Sequence, residues 1–396
     1  MKKIILQMDG CSDLPIEELD GKTPMEVART PNLDQLAARG RVGRTTPAPY
    51  DMELGSDIAN MSLLGYDPHR YYTGRAPIEA ASMGVPVEGR DVAFRVNLVS
   101  VDGEKMLDHS GGNLTTEEGR ELIEFLSRKV FYNNDTRHLY PGVGYRHLMV
   151  WTDGPDDLRC TPPHNIVGQH FVRAMPEGEK DQSIRRKMWD SYEVLLDHPV
   201  NQKRVDAGKL PANMIWPWGP GRTPTLPLFS TQHGCQGVMI AAVDLMKGLG
   251  KLVGLYTPNV PGATGYVDTN YTGKAEYALS ALREGRDFAF IHLEGPDEAG
   301  HSGNLEEKIL AIERIDKETL GPLLSGMGEM GDFRFLCLPD HSTPIKLRKH
   351  DAYDVPFLLF DTQAERSNSL PFDERGMRDT NFVVPEGHHL IDLLFQ

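Results

Sequence analysis

The protein has 396 residues, of which 39% are hydrophobic and 25% charged, proportions that indicate a folded globular chain of roughly two to three domain-sized units. Its 57 acidic residues outnumber its 42 basic ones, which gives a net charge of −15. That balance excludes a general nucleic-acid-binding or anionic-membrane-binding surface, because both require a basic footprint.

The cysteines are few and scattered: Cys11, Cys160, Cys235 and Cys337. They form no C-x-x-C pair, which excludes a cysteine zinc knuckle and a disulfide-dense scaffold. The N-terminal apolar run in MKKIILQMDG is too short for a signal-peptide core, and no apolar stretch approaches the roughly 18–20 residues of a membrane span. We therefore expect a cytoplasmic protein with reduced thiols.

Short apolar runs alternate with helical patterns along most of the chain. In chain order we predict a strand at 3–8, helices at 31–39 and 58–64, a strand at 237–241 with a short helix ending at Leu245, strands at 251–256 and 288–293, a helix at 304–320, and strands at 333–338 and 355–360. Continuous apolar strands alternating with helices predict an α/β protein whose sheet is covered by helices on both faces.

The middle of the chain has a different pattern. Residues 107–182 contain one clear helix at 115–129 and a strand at 145–151, between strongly charged stretches. We interpret 107–182 as a smaller inserted α+β domain, with 1–106 and 183–396 forming the main domain. The segment PANMIWPWGPGRTPTLP that follows is dense in proline, glycine and tryptophan, and we interpret it as an ordered loop returning to the main domain.

Acidic residues follow three of the predicted strands. Asp9 comes after the first strand, Asp297 and His301 follow 288–293, and Asp340 and His341 follow 333–338. In an open α/β sheet, ligands bind beyond the carboxyl ends of the strands. We therefore expect these side chains to converge, with His350 from the next loop.

Carboxylate and imidazole ligands together suit divalent ions such as Mn²⁺ or Zn²⁺. Six candidates exceed the four ligands of one structural zinc and suit a site with two metal ions. The alternative for each residue alone is ordinary: an aspartate after a strand commonly forms a turn or caps a helix, and a single histidine is commonly satisfied by its neighbours.

Ser56 precedes the predicted helix at 58–64. It is either a simple N-cap, the commonest role of serine there, or a nucleophile at a helix N-terminus that receives phosphate. The sequence has no G-x-x-x-x-G-K-[ST] loop, no G-x-G-x-x-G after the first strand and no H-E-x-x-H. A P-loop kinase, a dinucleotide dehydrogenase and a zincin are therefore disfavoured.

Several motifs resemble a known family. MDG at 8–10, GSD at 55–57, PDEAGHSGNLEEKILAIERID at 296–316 and PDH at 339–341 resemble the alkaline phosphatase superfamily. GRAPIEAASMG and VPGATGYVDTNYTGKAE are similar to segments of the archaeal-type cofactor-independent phosphoglycerate mutases, which also occur in bacteria. The resemblance spans nearly the whole chain and implies an alkaline-phosphatase-like sheet with an inserted domain that binds the glycerate part of the substrate.

The resemblance also implies residue roles. One metal ion would be held by Asp9, Ser56, Asp340 and His341, and the other by Asp297, His301 and His350. Ser56 would be the phosphorylated nucleophile, which takes the phosphoryl group of 3-phosphoglycerate and returns it to the 2-hydroxyl. The implied cofactors are two divalent ions, Mn²⁺ first, with Zn²⁺ or Mg²⁺ as alternatives. The implied partner is this small phosphorylated substrate, without an obligate protein partner.

Candidate contacts to the substrate phosphate and carboxylate are Arg75, Arg95, Arg146, His147 and His164. The alternative for each is solvated surface charge. Arg95 and Arg146 are the strongest candidates, because they lie within apolar strands where an unpaired charge is costly. One position departs from the family: Asn113 stands where its relatives have histidine or arginine, with His109 four residues earlier.

Other activities remain open at this point. A phosphotransferase on the same framework is one, since GRAPIEAASMG is close to a bacterial branch suggested to be a homoserine kinase. A phosphohydrolase, in which water attacks the phosphoserine, is another. A non-catalytic phosphate-binding module is disfavoured by the seven intact metal and nucleophile positions.

Overall fold

The computed structural model describes residues 1–132, 135–364 and 368–396. Its contacts form two compact units: unit 1 comprises Met1–Tyr72 and Thr225–Gln396, and unit 2 comprises Thr73–Pro224. Unit 2 extends beyond the predicted insertion at 107–182 in both directions. It does so because strands from 92–102 and 214–221 belong to its sheet.

The strands are β1 Lys2–Met8, β2 Arg41–Thr45, β3 Val92–Asp102, β4 Lys105–Asp108, β5 Arg137–Tyr140, β6 Arg146–Trp151, β7 Met214–Gly221, β8 Gly237–Ile240, β9 Phe288–Leu293, β10 Phe333–Leu338, β11 Val355–Asp361 and β12 Val383–Val384.

The helices are α1 Pro24–Val27, α2 Pro31–Arg39, α3 Ser56–Leu63, α4 Pro68–Tyr71, α5 Ala76–Met83, α6 Thr116–Lys129, α7 Asp181–Leu195, α8 Pro199–Asp206, α9 Phe229–His233, α10 Asp244–Leu252, α11 Tyr271–Arg283, α12 Gly295–Ser302, α13 Leu305–Arg314, α14 Gly321–Met330, α15 Glu374–Asp379 and α16 Asp392–Phe395. Short 3₁₀ turns lie at Glu17–Leu19, Pro163–Ile166, Phe171–Ala174 and Gly387–His389, and a π-helical turn at Ile315–Leu320 joins α13 to α14.

Unit 1 is built on a seven-stranded sheet in the order β12-β2-β11-β10-β1-β9-β8. At its centre β1 pairs in parallel with both β10 and β9, and β9 pairs in parallel with β8. These central strands are mostly apolar and mostly buried, as expected of strands covered on both faces. Their carboxyl ends therefore meet at one edge of the sheet.

Helices cover both faces of this sheet. Ile4 and Leu6 point to the face where α11 and α14 complete one apolar core. Ile5 is paired with Phe290 in register and points the opposite way, toward the face where Phe288 stacks on Phe229 of α9. The α/β prediction is confirmed. Within the described residues, no helix combines the length and apolar character needed to cross a bilayer.

Unit 2 contains a five-stranded antiparallel sheet in which the long strand β3 pairs with β4, β6 and β7. One face carries the apolar residues Phe94 and Val96, which pack in a second core with α6 and α7. The prediction of a loop at the proline-rich segment was wrong in part, because residues 214–221 form β7. Among the described strands β7 pairs with β3 alone, and Pro217 is tolerated because an edge strand need not donate every backbone N–H.

A second correction concerns residues 251–256, which we predicted as a strand. Helix α10 continues to Leu252, since Leu245, Met246 and Leu249 recur at helical spacing and are all buried. The chain turns at Gly254, where φ is +76°, and only an isolated bridge at Tyr256 touches the sheet. The short helix predicted to end at Leu245 is instead α10, which begins at Asp244. The other predicted helices and strands are present within one or two residues of their predicted bounds, with 304–320 formed by α13 and the π-helical turn.

Candidate active site

The loops after β1, β9 and β10 converge because these strands are parallel neighbours. They bring together two groups of side chains whose ligand atoms lie within 4.8 Å of one another in each group. We call all six residues the carboxylate–histidine cluster; the first group is Asp9, Asp340 and His341, and the second is Asp297, His301 and His350.

The first group is fully buried. His341 Nε2 lies 3.5 Å from Asp9 Oδ1 and 3.3 Å from Asp340 Oδ2. Ser56, the first residue of α3, places its Oγ 3.1 Å from the same nitrogen. Gly55 is the N-cap and no side chain caps α3, so the N-cap role that sequence left open for Ser56 is not the one it adopts.

The second group comes from α12 and the loop after β10. Asp297 and His301 are four residues apart on α12, so they share a helix face, and His301 Nε2 is 3.4 Å from Asp297 Oδ2. His350 Nε2 is 3.6 Å from Asp297 Oδ1 and 3.1 Å from His301 Nε2. The rings of His341 and His350 stack with centroids 3.7 Å apart, which joins the two groups.

Three contacting residues were not among the sequence-based candidates. Asn60, one turn after Ser56, donates its amide to Asp340 Oδ2 at 3.0 Å. His292, in β9, lies 2.7 Å from Asp9 Oδ2. Thr343 follows His341 by two residues and contacts both groups. The only sequence signal for each was its closeness to a candidate ligand.

Lys308 forms hydrogen bonds to both the loop after β1 and the loop after β10. It is fully buried on α13, and its ammonium donates to Asp13 Oδ2 at 2.8 Å, to the Ser12 carbonyl at 3.1 Å and to the Thr343 carbonyl at 2.8 Å. Gly10 is required nearby, because φ is +60° and a Cβ there would lie 2.5 Å from Asp297 Oδ1. The loop after β1 is therefore held close against the second group.

The electrostatics of the first group fit a bound cation. Burial raises the pKa of Asp9 well above its ordinary value, and the charge of Asp340 raises it further. Asp9 Oδ1 has no hydrogen-bond partner among the described residues. Two buried carboxylates side by side, one with an unpaired oxygen, are costly unless a cation lies between them. This donor set suits a divalent ion.

The pKa shifts in the second group differ from those in the first. Burial would raise the pKa of Asp297, but the hydrogen bond and charge of His301 and the other imidazoles lower it below its ordinary value. The bond to Asp297 raises the pKa of His301 to about 9, whereas burial lowers the pKa of His350 to about 4. An anionic carboxylate beside two imidazoles is again a ligand set for a divalent ion.

Unit 2 contains a separate group of cationic side chains, which we call the arginine cluster: Arg75, Arg95 and Arg146 around Glu79. Arg75 Nε and Arg95 Nε donate to different oxygens of Glu79, each at 2.9 Å. The charge of Arg146 acts on both Glu79 and Arg95. Three guanidinium groups around one carboxylate leave an excess of positive charge.

Arg95 is buried, and its guanidinium carbon lies 4.0 Å from the Trp218 ring centroid. Burial lowers the pKa of Arg95 to about 10, so it remains cationic at neutral pH. Burial would raise the pKa of Glu79, but Arg95 and Arg75 lower it below its ordinary value. His164 shares the same tryptophan, with ring centroids 5.5 Å apart. The structure therefore brings Arg75, Arg95, Arg146 and His164 into one neighbourhood.

His147 is not part of that neighbourhood. It follows Arg146 in β6 and, by strand alternation, points to the opposite face, where it is 3% exposed. Its Nδ1 accepts a hydrogen bond from the Gly142 amide at 3.1 Å. Asn113 occupies an exposed turn with φ of 57°, a backbone conformation that asparagine tolerates better than most residues.

Comparison with known proteins identifies the family of this chain. A model of the 2,3-bisphosphoglycerate-independent phosphoglycerate mutases matches residues 37–201. A Geobacter sulfurreducens protein named probable 2,3-bisphosphoglycerate-independent phosphoglycerate mutase is 46% identical over 399 aligned positions, covering 100% of this chain and 99% of the relative. The chain belongs to the 2,3-bisphosphoglycerate-independent phosphoglycerate mutase family.

Two solved structures are similar to this family member along its whole length. The PH0037 protein from Pyrococcus horikoshii has a TM-score of 0.82 at 29% identity, covering 99% of this chain and 96% of the other. The cofactor-independent phosphoglycerate mutase from Thermoplasma acidophilum has a TM-score of 0.65 at 26% identity, covering 100% and 99%. The fold and the sequence therefore point to the same family.

Proposed function

We propose that this protein is an isomerase that interconverts 3-phosphoglycerate and 2-phosphoglycerate in glycolysis and gluconeogenesis, in the cytoplasm and without 2,3-bisphosphoglycerate. Family membership supports the reaction. The observation that carries the mechanism is the 3.1 Å separation of Ser56 Oγ and His341 Nε2, because a hydroxyl at that distance lies beside the buried ligand groups. A nucleophile within reach of a base or metal ligand is the arrangement that covalent catalysis requires.

We infer that two divalent ions complete the site. Asp9, Asp340 and His341, with Ser56, would hold one ion; Asp297, His301 and His350 would hold the other. When bound, such ions lower the pKa of a hydroxyl and neutralise charge on a transferring phosphoryl group. Mn²⁺ is our choice because it accepts both carboxylate oxygen and imidazole nitrogen.

The proposed chemistry consists of two phosphoryl transfers. Ser56 Oγ forms a bond to phosphorus as the bond from phosphorus to the C3 oxygen of the substrate breaks, and the freed glycerate takes up the proton that Ser56 gave up. The C2 hydroxyl then attacks phosphoserine 56, loses its proton and releases Ser56 Oγ, which is reprotonated. Atoms and charge balance without ATP or water.

We propose that the arginine cluster binds the anionic groups of the substrate. Its excess positive charge supports this role, since guanidinium groups recognise carboxylates and phosphates through paired N–H donors. Glu79 would orient Arg75 and Arg95, because the Nε of each donates a hydrogen bond to it. His164 and Trp218 would shape the same region.

Trapping the phosphoenzyme tests this proposal. The protein is mixed with 3-phosphoglycerate, quenched in acid and analysed by mass spectrometry, and we expect phosphate on Ser56. Ser56→Ala should retain its fold but give no phosphopeptide and no turnover. Phosphate on a histidine instead would contradict the mechanism.

Phosphorus NMR distinguishes the activities. With 3-phosphoglycerate alone we expect conversion to 2-phosphoglycerate, without inorganic phosphate. A parallel sample with homoserine and ATP should remain unchanged. Release of inorganic phosphate would indicate a phosphohydrolase, and phosphorylation of homoserine without any mutase activity would indicate the kinase.

A further inference from the structure

A second set of metal-ligand side chains lies near the C-terminus, apart from the carboxylate–histidine cluster. Glu386, His388 and His389 lie on and beside the 3₁₀ turn Gly387–His389, and their ligand atoms are within 4.8 Å of one another. Nothing in the proposed reaction uses these residues. We call them the C-terminal histidine site.

The spacing within this site is specific. Glu386 Oε2 lies 3.5 Å from His388 Nε2 and 3.4 Å from His389 Nε2. Ligands at about 2.1 Å from one tetrahedral zinc ion are about 3.4 Å apart. Glu386 Oε2 therefore lies from each of the two imidazole nitrogens at the spacing of ligands that share an ion.

Asp392 orients one of the histidines. Its Oδ2 lies 3.3 Å from His389 Nδ1, so it can accept the Nδ1 proton and leave Nε2 unprotonated toward Glu386. A carboxylate on the far nitrogen of a histidine is the usual support of a metal-binding imidazole. The side chains of His389 and Glu386 are exposed to solvent, so water can supply the fourth ligand.

The turn that carries the site is firmly anchored. The amide of Gly387 donates to the Thr46 carbonyl at 3.0 Å, and a Cβ on Gly387 would lie 2.6 Å from the Pro47 Cα. Leu390 and Ile391, which follow the turn, are fully buried. Binding would therefore require little ordering of the backbone, which lowers its entropic cost.

We propose that Glu386, His388 and His389 bind a Zn²⁺ ion, with Asp392 supporting His389. Two imidazoles and one carboxylate favour Zn²⁺ over Mg²⁺ or Ca²⁺, which prefer oxygen ligands. This site is independent of the proposed reaction. Its residues are partly exposed, so their replacement should leave the fold and the mutase activity unchanged.

Zinc stoichiometry tests the proposal. The full-length protein is stripped with a chelator, dialysed against Zn²⁺ and analysed for bound metal. We expect His388→Gln/His389→Gln to bind one zinc ion fewer per chain than the wild type. Asp392→Asn should retain the site but weaken its zinc affinity on the order of 10- to 100-fold. Wild type should also unfold at a higher temperature with zinc than the double variant does.

His170→Gln is the matched control, because His170 is an exposed histidine 3.4 Å from a single carboxylate, that of Glu104. It should bind as much zinc as the wild type. Equal zinc content and equal affinity in the wild type and the double variant would overturn the proposal. So would an equal loss of zinc in the His170→Gln control.

Discussion

The hydroxyl of Thr343 donates a hydrogen bond to Asp297 Oδ1 at 2.5 Å. The same oxygen lies 3.2 Å from His341 Nδ1. Because the only hydroxyl proton is given to Asp297, Thr343 accepts from His341 Nδ1–H, which leaves Nε2 free to face Ser56 Oγ. Thr343 thus fixes the histidine tautomer and links the two ligand groups.

Replacement of Thr343 should loosen both groups at once. We expect Thr343→Val to weaken Mn²⁺ binding and to lower kcat, each on the order of 10- to 100-fold, as for other residues that orient metal ligands. Isothermal titration of the chelated protein with Mn²⁺, without substrate, measures the first effect. Thr343→Ser keeps the hydroxyl and should restore most of both. Wild-type binding by Thr343→Val would contradict this role.

Removal of divalent metal should abolish activity, and Mn²⁺ should restore it. The reason is that the buried carboxylates of Asp9 and Asp340 need a cation. We expect His301→Ala, which disrupts only the second group, to bind one Mn²⁺ ion fewer per chain than the wild type. Binding should weaken at acid pH, because histidine ligands must be deprotonated. Undiminished turnover after exhaustive chelation would exclude a metal-dependent mechanism.

Arg146→Ala tests the arginine cluster without disturbing the core, because Arg146 is exposed. A hydrogen bond to a charged group contributes about 1.5–3 kcal/mol, so KM for 3-phosphoglycerate should rise on the order of 10- to 100-fold. The midpoint of chemical denaturation should not change. Arg120→Ala, an exposed arginine on α6, is the control and should keep the wild-type KM. An unchanged KM in Arg146→Ala would remove Arg146 from the site.

His147 should make the protein less stable in acid. Burial lowers its pKa from 6.5 to about 3, so between these values the unfolded chain binds a proton that the folded chain does not. Stability from this group is therefore present above pH 6.5 and lost as the pH falls below it. Between pH 7 and pH 5 the loss is about 2 kcal/mol.

The comparison variant is His147→Gln, which cannot titrate in this range but keeps an acceptor for the Gly142 amide. Urea denaturation at pH 7 and pH 5 should show a smaller loss of unfolding free energy in the variant than in the wild type. Equal losses in the two proteins would show that His147 is not the titrating group.

The sequence predicted the carboxylate–histidine cluster because the signals for it lie within short stretches of the chain. An apolar run followed by an aspartate predicts a buried strand with the aspartate beyond its carboxyl end. Three such runs predicted that Asp9, Asp297 and Asp340 lie together at one edge of the sheet. Helix α12, whose face Asp297 and His301 share, was not predicted from the sequence. Thr343 carried no such signal, since its role depends on a contact with Asp297, which lies on another element, α12.

The errors have related causes. The proline-rich strand β7 exists because β3 pairs with it, a contact between distant segments that local composition does not reveal. His147 and Arg146 were both candidate substrate contacts, although alternation along β6 places them on opposite faces of the sheet. Glu79 was not predicted to organise two arginines, because one of them lies in another element. Contacts between residues far apart in the sequence were thus the information that the sequence alone did not provide.

The three hydrogen bonds of Lys308 have a consequence for motion. One ammonium holds the Ser12 and Thr343 carbonyls and the Asp13 carboxylate, and Asp13 in turn accepts from the Ile345 amide at 3.1 Å. If either loop moved away, the buried Lys308 ammonium would lose hydrogen-bond acceptors, so the loops after β1 and β10 should open together. Their amides should exchange with solvent at a common rate, as one cooperative unit.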